Sequence, residues 1–239
     1  MNILVLQHAA LEHPGYFRHL LEEDGHSHHC VKLDMGDDIP PIDNFDGLWV
    51  LGGPMDVWEE EKYPWLVKEK RFIKNAVIER GVPYLGLCLG HQLLGEVLGG
   101  TVEPAKTPEI GVFEVKLTEA GASGVFFDGL PESFKCLQWH SAEITKIPGD
   151  VDVLATSQDC LVQALKWGTR AHSVQFHLES EMDTVKNWVT IPEYHAALKT
   201  ALGDDGASLL ESKSLAEIKN FNNNAERVYL NWMQTAAHI

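Results

Sequence analysis

The sequence predicts an α/β protein with a mainly parallel open sheet flanked by helices and a helical extension at the C-terminus. Three observations lead there. The first half alternates short apolar runs with longer amphipathic ones, the pattern of βαβ units. Several apolar runs end in glycine-rich turns, and the chain after about residue 180 carries helical periodicity alone.

In order, "ILVLQ" (3–7) is a strand and "GYFRHLLEED" (15–24), closing on Gly25, a helix. "HHCVKLD" (28–34) and "GLWVLGG" (47–53) are strands on either side of a turn-rich segment. "PWLVKEKRFIKNAVIERG" (64–81) places Leu66, Phe72, Ile73, Val77 and Ile78 at helical spacing before a terminal glycine. "VPYLGL" (82–87) is a central buried strand, followed by a helix over 89–100. From 101 to 176 the shorter runs "GVFEVKLT", "FKCLQWH", "DVLATS", "LVQALKWG" and "AHSVQFH" predict antiparallel additions to the sheet. "DTVKNWV", "EYHAALKTAL" and "AERVYLNWM" are helical, with "GDDGAS" (203–208) a turn between helices.

Composition narrows the function. At 239 residues and 44% hydrophobic the chain can bury one substantial core. Its net charge of −16 argues against nucleic acid and anionic membranes as partners. The opening "MNILVLQHAALEHPG" lacks a basic leader, and no stretch approaches the roughly 18 apolar residues of a membrane span, so the expected location is cytoplasmic. Cys30, Cys88, Cys136 and Cys160 show no C-x-x-C pairing, and reduced thiols are expected. The histidines of "GHSHHC" (25–30) would alternate across a strand, so no metal site is expected there. Glu12 and His13 fall in a loop at the C-terminal end of the first strand, where either could edge the pocket, though a turn before a helix is the plainer role.

Gly86-Leu87-Cys88-Leu89-Gly90 has the spacing of a nucleophile elbow, a sharp strand-to-helix turn in which glycines two before and two after relieve crowding. The start of a helix also favours an anionic thiolate. On this element alone, nucleophile and buried turn cysteine stand level. "SVQFHLES" (173–180) is read as a strand ending at His177, which puts an imidazole on the edge that carries Cys88, with Glu179 two residues on to orient it. "LWVLGGPMDVW" (48–58) is a tight loop whose amides can join the Leu89 N–H in an oxyanion hole.

"GLCLGHQLLGEVLGG", "LWVLGGPMD" and "SVQFHLE", in that order, resemble the class I, triad-type glutamine amidotransferases, in particular the stand-alone group similar to the glutaminase domain of GMP synthetase. The likeness covers residues 1 to about 180 and implies a flavodoxin-like catalytic domain there, with 181–239 a helical extension packed on it. It implies Cys88 as nucleophile, His177 as general base and acid and Glu179 as third triad member. Gly53 and Leu89 would supply the oxyanion amides, and Gly52, Gln92, His140 and Ser141, with Glu143 nearby, would contact the glutamyl group. The usual "FHPE" is here "FHLE", with Leu178 in place of proline. The implied reaction is hydrolysis of glutamine or a γ-glutamyl amide through a glutamyl thioester, with no cofactor or metal, either alone as a γ-glutamyl peptidase or beside a separate synthetase subunit. The competing readings are a non-catalytic regulatory protein of the same fold and a thiol-dependent chaperone or deglycase, a type that lacks the late His-x-Glu.

Overall fold

The computed structural model describes residues 1–237. Over these residues, nine strands form one sheet in the order β2-β1-β3-β4-β9-β8-β7-β5-β6. Strands β1 (Asn2–Gln7), β2 (Ser27–Lys32), β3 (Gly47–Val50), β4 (Tyr84–Leu87) and β9 (Ala171–Val174) run parallel. Strands β5 (Thr101–Leu117), β6 (Ser133–Lys146), β7 (Val151–Thr156) and β8 (Ala164–Trp167) are added antiparallel. The expected mixture of a parallel half and antiparallel additions is what forms.

Central strands β3 and β4 are buried throughout, as continuous apolar runs in a doubly covered sheet must be. The covering helices are α1 (Tyr16–Glu23), α2 (Trp65–Ile73), α3 (Leu89–Val97), α4 (Glu119–Ser123), α5 (Thr184–Trp188), α6 (Pro192–Leu202) and α7 (Gly206–Ala237). The helix expected over 64–81 forms as α2 and then continues as a π-helical segment, Lys74–Glu79. The two apolar faces of the sheet make separate cores. One gathers Phe17, Trp49, Phe134 and Phe176 with Tyr229 and Trp232 of α7; the other gathers Leu48, Leu66, Leu93 and Leu94.

Two elements differ from expectation. Strand β9 stops at Val174 rather than reaching His177, because the chain there leaves β4 and His177 N–H donates to Leu137 O of β6 at 2.9 Å. Helix α7 is 32 residues long, far beyond the segment read as "AERVYLNWM". Its polar first half still carries Leu210 and Phe221, which join Trp139, Trp188 and Tyr194 in a third apolar cluster.

Candidate active site

Cys88 sits between β4 and α3 with φ 51, the one non-glycine residue at positive φ among those described. Its N–H donates to Val174 O of β9 at 2.9 Å, and its carbonyl accepts from His91 and Gln92 of α3. Parallel strand and helix are thus stitched directly to the elbow. The glycine at position 90 is obligatory for packing, since a Cβ there would lie 2.1 Å from Val50 O. Cys88 is buried, and all four cysteines are free thiols.

His177 follows β9 and is buried beside this elbow. Its Nδ1 bonds Glu179 Oε1 at 2.7 Å, while Nε2 has no hydrogen-bond partner. Burial pulls the imidazole pKa down, but the charges of Glu179 and Cys88 outweigh it and hold His177 well above the usual histidine range. Glu179 is held by its own backbone: its carbonyl accepts from Tyr16 N–H at 2.8 Å, an approach open only because residue 15 is glycine at φ 52. Leu178, in the place of proline, is buried in the first core and anchors the same turn.

A cavity of about 140 Å³ opens on Cys88 and is lined by Gly53, Leu89, Gln92, His140 and Ser141, all expected there, together with Asp56, Trp139, Glu193 and Tyr194. The Gln92 side-chain amide donates to Ala142 O and Gln175 Oε1, leaving its own carbonyl oxygen for the cavity. His140 has both ring nitrogens bonded, to Ala142 O at 3.0 Å and Glu109 Oε2 at 3.1 Å. Gly52 stands behind the wall, where a Cβ would meet Glu12 Oε2 at 2.7 Å and His177 Cε1 at 3.2 Å. Glu143 is not among the lining residues.

The neighbourhood of His177 contains groups that no local motif announces. Glu12 is buried in the loop after β1, and its carboxyl accepts from Tyr194 Oη of α6. Burial raises the Glu12 pKa to about 7, against the opposing pull of His177. Trp188 of α5 sets its ring edge-on to His177, with centroids 4.4 Å apart, and its indole N–H donates to Leu11 O at 3.0 Å. Ligand atoms of Glu12, His177 and Glu179 lie within 4.8 Å of one another, close enough to surround a small cation. His177 Nδ1 and Glu179 Oε1 are bonded to each other and Glu12 accepts from Tyr194, while His177 Nε2 and Glu179 Oε2 have no hydrogen-bond partner among the described residues. At "GHSHHC" the side chains go separate ways, His26 to the Met1 amine and His29 onto Phe45.

Residues 17–190 match the family model described as glutamine amidotransferase class-I. The chain is 30% identical over 193 residues to a glutamine amidotransferase-like protein of Salmonella typhimurium, a match that covers 79% of this chain and 80% of that one. It is 29% identical over 185 residues to one subunit of the glutamine-hydrolyzing GMP synthase of Sulfolobus acidocaldarius, covering 74% of this chain and 94% of the other. A crystal structure of a glutamine amidotransferase from Thermotoga maritima superimposes with a TM-score of 0.86 at 28% identity, over 99% of this chain and 98% of that chain.

Proposed function

The chain belongs to the glutamine amidotransferase class-I family, and from that we propose that it hydrolyses glutamine or a related γ-glutamyl amide through Cys88, His177 and Glu179. The observation that carries this reading is Cys88 at an elbow of positive φ, beside a buried imidazole whose Nδ1 is taken by Glu179 and whose Nε2 is unpartnered.

In this reading His177 Nε2 takes the Cys88 proton, and the thiolate adds to the γ-carbonyl carbon of the substrate. The oxygen becomes an oxyanion facing the N–H groups of Gly53 and Leu89, each donor being worth about 3 kcal/mol in the transition state. The C–N bond breaks as His177 returns the proton to nitrogen, and ammonia or an amine leaves a glutamyl thioester on Cys88. Water, deprotonated by the same imidazole, adds to the thioester and releases glutamate, restoring the thiol. Gln92 and Ser141 are assigned to the glutamyl group, with His140 shaping the wall. Residues 1–180 are assigned as the catalytic unit and 181–239 as an extension, whose described part packs on the same body, a reading supported by Trp188 and Tyr194 reaching His177 and Glu12.

A panel of glutamine, γ-glutamyl amines and γ-glutamyl peptides, assayed for glutamate release, tests the proposal. Cys88→Ala is expected to abolish release from every active member, and full activity in that variant would sink the nucleophile assignment. A second reading, favoured by the similarity to a GMP synthase subunit, has the ammonia passed to a separate synthetase partner. Cleavage only in the presence of such a partner selects that reading over a stand-alone hydrolase.

A further inference from the structure

The loop after β3 turns on one peptide unit whose two ends have different fates. Gly52 O is bonded to His8 Nδ1 at 2.8 Å, and the N–H of that same unit belongs to Gly53. No peptide bond among the described residues is cis, so the C=O and N–H of the unit point in opposite directions. A donor fixed on the carbonyl therefore turns the Gly53 N–H away from His8. Gly53 lines the cavity with Cys88 and Leu89, and its N–H is given to no backbone carbonyl among the described residues.

The histidine that holds this carbonyl is itself held. His8 Nε2 bonds Glu69 Oε1 at 2.8 Å, and the ring stacks on Trp65 with centroids 5.5 Å apart. Both side chains of the pair are fully buried. A carbonyl oxygen can only accept, so Nδ1 carries a hydrogen, and Nε2 and Glu69 Oε1 share another between them. The His8 pKa, which burial lowers and which Glu69 and Gly52 together raise by more, runs in the direction this bonding sets. Nothing in the catalytic reading uses the pair, and a fully buried ion pair is weak evidence of a stabilising role.

We propose that His8 and Glu69 are positioning residues of the oxyanion site, pinning the Gly52–Gly53 peptide so that its N–H faces Cys88 before substrate arrives. The need for a pin comes from the loop itself, since a Gly-Gly peptide has no Cβ on either side to resist rotation. The same bond polarises the unit and strengthens its N–H as a donor. In this design the oxyanion donor is set by the chain's own core, with no partner protein required to orient it. The proposal rests on the reading of Cys88 as a hydrolytic nucleophile.

Paired substitutions test it without leaving a buried charge alone. In His8→Leu/Glu69→Gln, kcat for glutamate release should fall about a hundredfold to a thousandfold, the loss typical of a missing oxyanion donor, with KM within threefold. Alkylation of Cys88 by iodoacetamide, which needs no oxyanion donor, should stay within twofold, and the Gly53 amide resonance should move. His8→Asn/Glu69→Gln, whose side-chain amide reaches Gly52 from the Nδ1 position, should recover to within tenfold of the parent. Should the leucine pair not fold, His8→Gln/Glu69→Gln replaces it, since that amide takes the Nε2 position and misses Gly52. A folded leucine or glutamine pair with kcat within threefold of the parent overturns the proposal, as does an asparagine pair no better than it. If the parent protein releases no glutamate either alone or with a synthetase partner, the hydrolase reading fails by itself, and an unmoved Gly53 resonance then overturns the pin.

Discussion

Glu12 shows how much one buried group can weigh. Its pKa is raised from 4.5 to about 7 in the folded protein, chiefly by burial, so between those values the native state binds more protons than the unfolded chain. Stability then falls as pH rises through that window, by about 3 kcal/mol in all if the full shift is expressed. Glu12→Gln removes the titration and should flatten the pH dependence of the denaturant midpoint between pH 4.5 and 7; a slope unchanged from the parent would show that burial is not the cause. The two motifs behind the candidate triad are legible in the sequence because each is local, Cys88 inside its glycines and Glu179 two residues after His177, while their pairing across the chain comes from the order of the motifs and the resemblance they carry. Glu12 reads there as a turn residue that could at most edge the pocket, since the hydroxyl that meets it stands 182 residues away on Tyr194 and leaves no mark near position 12. His8 carries no signal for the same reason, with its partner Glu69 in an otherwise ordinary amphipathic helix.

At the scale of an element, the strand–elbow–helix unit depends on which atoms crowd its glycines. A Cβ on Gly90 meets the backbone carbonyl of Val50 at 2.1 Å, whereas one on Gly95, further along α3, meets the Cδ1 end of Ile144 at 2.5 Å. A carbonyl in a central strand cannot yield, but a side-chain terminus can rotate. Gly90→Ala should therefore cost about 3 kcal/mol or more and Gly95→Ala nearer 1 kcal/mol, an order that thermal melts of the two variants check directly. Equal losses would mean that β3 shifts more easily than its burial implies. Most helices and strands are legible from periodicity and from the glycines that end them. The end of β9 is not, because "SVQFH" is apolar enough to continue as a strand, and only its neighbour decides otherwise: beyond Val174 the chain pairs with β6 instead of β4.

Across the whole molecule, α7 ties the C-terminal segment to the half that carries Cys88. Trp232 is fully buried, donates from its indole N–H to Tyr84 O at 2.9 Å and stands edge-on to Trp49 with centroids 5.5 Å apart. Tyr84 begins the strand that leads into Cys88, so the last helix supports the strand beneath the elbow. Trp232→Ala should cost about 3–5 kcal/mol, and unfolding followed by far-UV circular dichroism and by tryptophan fluorescence should give one coincident transition. Separate transitions would mean that 181–239 folds apart from 1–180.

The sequence by itself determined the alternation of elements, the elbow around Cys88 and the short His177–Glu179 pair, because each is written within a few consecutive residues through periodicity, glycine placement and spacing. Only the tertiary structure decided what surrounds those three residues. It brought Glu12 against His177 and let Tyr194 and Trp188 close over them, and it set His8 on Gly52. Those groups come from distant parts of the chain, and hydrogen bonds and apolar contacts formed in a dry interior depend on proximity that chain order does not encode.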